Sequence, residues 1–271
     1  MAKYAKKSRK GLWIGVLVGS AAIIIAALAI LLPQLFPAKE DLSGVAEETS
    51  LPTQTEVAAT LAAPPETEEP KPDNPIDWEY YQDINEDVYA WIFVPETGID
   101  LPVLQSQGEE DDNFYLHHDI NKNYLFAGEV YSQKKNAKDF SDPVTVLYGH
   151  NMKREGERFT NLLYFQDEDF FNEVEFFYIY TPERILTYRI VSAHSFDTRH
   201  ILKYYDNFST DELFQKYLDV ILKPPTFNRN VREGITLTTE DRIVTLSTCI
   251  NHGSSRFLIQ GVLISDEVFE D

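Results

Sequence analysis

Aromatic residues vanish from this chain between Phe36 and Trp78 and then recur almost to its end. Large aromatic and branched side chains supply most of the area that folding removes from water. The gap therefore divides the chain into parts that can and cannot build a core. Residues 33–75 are rich in Pro, Glu, Thr and Ala, bury too little apolar surface to offset their ordering entropy, and read as a disordered tether. As a flexible coil of about 40 residues, its r.m.s. reach is on the order of 35 Å. What remains, residues 76–271, suits one domain with a single core.

Ahead of the tether, residues 1–10 carry Lys3, Lys6, Lys7, Arg9 and Lys10, and residues 11–32 hold no charged side chain. At the helical rise the apolar stretch spans roughly 33 Å, enough for a hydrocarbon core of about 30 Å. The basic cluster keeps its own side in the cytoplasm, which puts the chain beyond Pro33 outside. A cleaved secretory signal is the rival reading. Against it, the apolar run is longer than such signals use, and Pro33-Gln34-Leu35-Phe36-Pro37 is a poor small-residue cleavage site. The expectation is a single-pass membrane anchor with an extracellular domain.

The chain has 24 basic and 44 acidic residues, of which residues 1–75 hold 7 and 9. The domain is left with 17 against 35, a net charge of −18, which argues against nucleic acid and anionic lipid head groups as partners. No cofactor motif and no metal-ligand cluster is legible, although an acidic surface can bind calcium without a readable motif.

Within the domain, Asp77–Val88 reads as helix or loop. Short extended runs follow, each bounded by Gly, Pro, Asn or Asp: Ala90–Val94, Ile99–Gln105, Gly128–Ser132 and Val144–Tyr148. Arg158–Phe165 reads as a short helix. Val174–Tyr180 and Ile185–Ser195 make an antiparallel pair turned at Thr181-Pro182-Glu183. Ser209 and Glu212 have capping-box spacing and open a helix through Leu222, stopped by Pro224-Pro225. Arg242–Ser247 and Phe257–Ile264 are the last strands. The fold class this predicts is mainly β with α insertions, a closed or nearly closed barrel.

One cysteine occurs in the chain, at the end of Thr245-Leu246-Ser247-Thr248-Cys249. A lone thiol makes neither an intramolecular disulfide nor a zinc site. It is a buried apolar residue, a reactive nucleophile or an intermolecular disulfide partner. A nucleophilic thiol needs a proton acceptor and a group to stabilise an oxyanion. Of the six histidines, His150 ends a strand-like run, where a rigid element presents a side chain at a rim. Arg256 opens the strand after Cys249; antiparallel pairing of the two strands brings its guanidinium close to the sulfur. The alternative is a packed cysteine and two unrelated polar residues.

Thr245-Leu246-Ser247-Thr248-Cys249 with Arg256 beyond it, and Leu147-Tyr148-Gly149-His150-Asn151-Met152, resemble the sortase family, most of all its class B. So do Asp83–Ile92, Ile99–Gln105 and Phe114-Tyr115-Leu116-His117-His118-Asp119 followed by Ala127–Tyr131. The resemblance implies a sortase-like closed barrel of about eight strands, with an N-terminal helix and a helix in the long connection before the cysteine strand, about His200–Ile235. It implies transpeptidation at a Gram-positive cell surface. Cys249 would attack a threonine carbonyl in the C-terminal sorting signal of a surface protein. A peptidoglycan stem or cross-bridge amine would then resolve the thioacyl enzyme. His150 would shuttle protons, and Arg256 would position substrate and stabilise the oxyanion. Leu116 and Ser247 match groove-lining positions, as does Asn113, with Asp112 the competing match. Class B resemblance favours an Asn-Pro-x-Thr type of signal. No cofactor is implied.

Three alternatives stay open at this level. A pilus-assembling sortase would use a pilin lysine as acceptor, a thiol hydrolase would use water, and a tethered adhesion domain would do no chemistry. His252, three residues past the cysteine, competes with His150 as proton partner. His117, His118, His194 and His200 read as structural or surface residues.

Overall fold

The computed structural model describes residues 73–152 and 158–269. The basic segment at 1–10, the membrane anchor at 11–32 and the tether, save its last three residues, lie outside them. Among the described residues, no helix is long and apolar enough to cross a membrane.

Nine strands follow the short helix α1 (Trp78–Ile84): β1 (Val88–Val94), β2 (Ile99–Leu104), β3 (Val130–Tyr131), β4 (Val144–Tyr148), β5 (Phe176–Tyr180), β6 (Arg184–Phe196), β7 (Arg229–Val231), β8 (Ile243–Ile250) and β9 (Ser255–Val268). They hydrogen-bond in the order β5-β1-β2-β3-β4-β8-β9-β6-β7, and β5 also pairs with β6. That second pairing closes eight strands into a barrel and leaves β7 as an appendage on β6. Closure removes the exposed edges that an open sheet of this size would present. The β2–β3 and β4–β8 pairs are parallel and the others antiparallel.

Local chemistry sets the strand ends. The β-forming run Val-Tyr-Ala-Trp-Ile-Phe-Val stops at Pro95, and the turn to β2 takes positive φ at Glu96 (59°) and Gly98 (70°) while Thr97 Oγ1 donates to the Val94 carbonyl (2.7 Å). The β5–β6 hairpin turns at 181–183 with Tyr180 opposite Ile185, as the sequence predicts. The last two strands are longer than that reading: β8 runs through Cys249 to Ile250, and β9 opens at Ser255.

Two apolar clusters divide the packing. The barrel interior holds Ile92, Val103, Leu147, Phe177, Tyr188, Leu246 and Ile259, plugged by Phe159, Leu162 and Phe165. Those three belong to the predicted helix over 158–165, which is a 3₁₀ segment, Thr160–Gln166, with its own first residues outside it; α2 (Glu168–Glu173) follows directly. The second cluster lies on the outer face of β4, β8, β9 and β6. There Phe214, Tyr217, Leu218 and Ile221 of α4 (Asp211–Leu222) pack on Val146, Val191, Ile243 and Leu258.

The cap of α4 falls one residue later than its spacing suggests. Thr210 is extended (φ −137°, ψ 152°) and accepts from the Leu213 amide, whereas Ser209 is helical (φ −66°, ψ −13°) and donates to Asp206 Oδ2 at 2.9 Å. A cap residue needs non-helical backbone, and the preceding 3₁₀ turn, Asp206–Phe208, denies it to Ser209. The connection from β6 to β8 thus contains α3 (Ile201–Tyr204), α4 and the unpredicted β7.

Candidate active site

Side chains alternate across a strand, and β8 uses both faces. Val244, Leu246 and Ile250 point into the barrel core. Ile243 packs in the outer cluster, and Thr245 Oγ1 meets the Tyr217 hydroxyl of α4 at 2.8 Å. Ser247 and Cys249 continue that outer face beyond the helix. On β9, Phe257 and Ile259 are inside and Leu258 outside, so Arg256 shares the outer face. Its Cα is the register partner of Cys249. The two residues are therefore neighbours on one face of the ladder, with Arg256 Nη1 donating to the Gly253 and Ser255 carbonyls (3.1 and 3.3 Å).

His150 arrives from β4. The parallel ladder pairs Tyr148 with Ser247, and three hydrogen bonds carry that register past the strand end. Gly149 N donates to Ser247 O (3.2 Å), Thr248 Oγ1 to Gly149 O (2.8 Å), and Asn151 Nδ2 to Cys249 O (2.9 Å). Position 149 has to be glycine here, because an added Cβ would sit 2.7 Å from the Phe159 ring. His150 Nε2 lies 3.0 Å from the Leu116 carbonyl. A carbonyl only accepts, so Nε2 carries the proton of the neutral ring.

A cavity of roughly 280 Å³ opens on this outer face and is lined by Cys249, His150 and Arg256 together. Leu116, Ser247 and Asn113 line it too, whereas Asp112 does not. Asn113 is held by two donors to its Oδ1, the Tyr131 hydroxyl (3.1 Å) and Gln133 Nε2 (2.9 Å). Every position matched to the site thus meets in one groove.

Sequence reasoning missed the rest of the wall. Tyr131 and Tyr148 stack (5.4 Å between centroids) as the floor, and Thr198, Arg199, His200 and Ile201 come from the start of the β6–β8 connection. His200, read as a structural or surface residue, caps α3 by accepting from the Lys203 amide (3.2 Å) and faces the groove. His117, read the same way, places its ring 5.3 Å from His150. Only an Ncap reading of His200 before Ile201 could have flagged the first, and nothing local flags the second. His118 stacks on Phe114, His194 is fully buried, and His252 is exposed in the β8–β9 turn, off the groove.

Burial and the neighbouring His117 lower the His150 pKa below the ordinary histidine value, and the Leu116 carbonyl opposes this only in part. Burial, then the Cys249 charge, push the Tyr131 hydroxyl up, which keeps it a neutral donor to Asn113. Among the described residues no group of three or more His, Cys, Asp or Glu converges as a metal site.

A sequence model described as the Sortase domain matches residues 92–264 of this chain. The chain belongs to the sortase family. It is most like class B: it is 32% identical to Sortase B of Listeria monocytogenes over 189 residues, spanning 68% of this chain and 72% of that one. Sortase B of Staphylococcus aureus is 27% identical over 175 residues, 64% of this chain and 67% of the relative. Among solved structures, Clostridium perfringens sortase B matches with a TM-score of 0.60 and 32% identity, over 69% of this chain and 99% of that one. The closed barrel and the family agree, and the protein is a cysteine transpeptidase.

Proposed function

We propose that this sortase joins surface proteins to a peptidoglycan amine through a thioacyl enzyme on Cys249. The supporting observation is the register that sets the sole cysteine opposite Arg256 and beside His150 in one groove. The Cys249 sulfur attacks the threonine carbonyl of a C-terminal sorting signal. The C–N bond breaks, and the thiol proton leaves on the departing amine by way of His150. The acceptor amine then attacks the thioester, the C–S bond breaks, and the amine's proton returns through His150 to the thiolate. Arg256 orients the carbonyl and offsets its developing negative charge. Residues 11–32 anchor the enzyme in the membrane with its N-terminus cytoplasmic and its catalytic domain outside, where both substrates are found.

Incubating the full-length protein with Asn-Pro-x-Thr and Leu-Pro-x-Thr-Gly peptides and candidate amines tests this by mass spectrometry. The expected result is an acyl adduct on Cys249 and a product that gains the amine. A pilin lysine in the product would make it a pilus assembler. Cleavage that millimolar amine does not divert would make it a hydrolase, and an unlabelled Cys249 would end the catalytic reading.

A further inference from the structure

The residues from His117 to Phe126 form a tight hairpin beside His150. His118 bridges Tyr124, Leu125 N donates to His117 O (2.9 Å), and Asp119 Oδ1 accepts from the Asn121 and Asn123 amides (2.9 and 2.8 Å). Lys122 at the tip is locked to the fully buried Asp87 by an ion pair of 2.9 Å. Yet this braced element leaves Tyr124 73%, Leu125 37% and Phe126 60% exposed. Single exposed apolar residues need no explanation, but three in succession on a braced hairpin make a patch of the kind that contacts something.

The patch adjoins the reacting groups. The Phe126 ring lies 5.7 Å from His150 at an interplanar angle of 21°, and His117 lies 5.8 Å from Phe126. None of Tyr124, Phe126 and His117 lines the groove that holds Cys249 and Arg256. His150 thus stands between two surfaces, the groove and an aromatic shelf. Resting on the thioacyl reading above, the groove takes the acyl donor. The imidazole must then meet the incoming amine on the side that does not hold the acyl chain.

The geometry points to the Tyr124–Phe126 shelf, with His117, as the subsite for the amine-bearing peptide of the acceptor. Flat aromatic faces suit the backbone and aliphatic stem of such a peptide, which they desolvate while the amine reaches the thioester. Stacking on His150 couples the shelf directly to the proton shuttle.

The test uses the full-length protein, an Asn-Pro-x-Thr donor peptide and two kinds of acceptor. One kind is hydroxylamine, too small to span the shelf; the other is triglycine or a stem tripeptide carrying a lysine or diaminopimelate amine. Phe126→Ala and Tyr124→Ala should each lower the ratio of kcat/KM for peptide acceptor over hydroxylamine about tenfold. A ratio unchanged in both variants overturns the shelf, even if turnover falls, because the ring would then only position His150. Failure of the underlying thioacyl reading looks different: the unsubstituted protein itself forms no Cys249 adduct. Both side chains are mostly in water, so thermal unfolding should show intact folds.

Discussion

Cys249 and Arg256 are register partners across the β8–β9 ladder, seven residues apart in sequence and adjacent in space. The ladder, not a flexible loop, fixes their relation, so the cation is in place before substrate arrives. Preorganised charge of this kind is worth more than charge recruited during reaction. Arg256→Ala should cut kcat/KM by about 10²–10³-fold. Its own hydrogen bonds go to turn carbonyls at the surface, so stability should change by no more than about 1 kcal/mol. Arg256→Lys should recover little, since an ammonium lacks the planar fork. Rescue by lysine to near full activity would reduce Arg256 to a simple point charge.

His150 is neutral at neutral pH because burial and His117 both disfavour its charged form. Titration of the two rings by NMR should therefore find His150 below the ordinary value of about 6.5. Replacing His117 with Gln removes a like-charged neighbour, and the His150 midpoint should move up. A downward or absent movement would show that the two rings do not share a field.

Much of this arrangement was legible in the sequence because it rests on local rules. Pro95 and Gly98 mark the β1–β2 turn, the β-forming run ending near Cys249 marks β8, and a six-residue connection forces β9 back alongside it. That is enough to pair Cys249 with Arg256. The walls were not legible, because they depend on where a long connection lands. His200 and Ile201 reach the groove only since α4 packs on the outer face through Phe214, Tyr217 and Leu218. His117 meets His150 across 33 positions of sequence, brought there by a hairpin whose exposed aromatics carry no helical or strand period. The Ser209–Thr210 slip has another cause: both residue types cap well, and backbone geometry chooses between them.

The hydrogen bonds beyond the β4–β8 ladder make a second prediction about positioning. Asn151 Nδ2 holds the Cys249 carbonyl and Thr248 Oγ1 holds the Gly149 carbonyl, so each ties the strand bearing Cys249 to the segment bearing His150. Asn151→Ala and Thr248→Val should each cost about 1 kcal/mol of stability. A larger, roughly tenfold or greater, loss is expected in kcat, because small misplacement of reacting groups is expensive. In the double variant the kinetic losses should be less than additive, since both bonds fix the same relation. Full additivity would mean that they act on separate features.

His194 supplies a stability prediction that does not involve Cys249, His150 or Arg256. It is fully buried on β6, donates from Nδ1 towards the Ser195 carbonyl (3.1 Å) and accepts at Nε2 from Gln260 Nε2 (3.1 Å). Both nitrogens are satisfied only in the neutral ring, and burial pushes its pKa down to about 4. Unfolded, the same ring binds a proton near pH 6.5. Its contribution is thus fully present above about pH 6.5 and is lost as pH falls towards about 4, the unfolded chain holding the extra proton in that window. The loss is on the order of 3 kcal/mol across it. Other histidines, including His150 and His200, also titrate low, so the comparison is with His194→Gln. Urea unfolding of the full-length protein at a series of pH values should show the wild type approaching the variant's stability as the pH drops. Parallel curves from pH 7 to pH 4 would mean that His194 titrates in the folded barrel as it does in the unfolded chain.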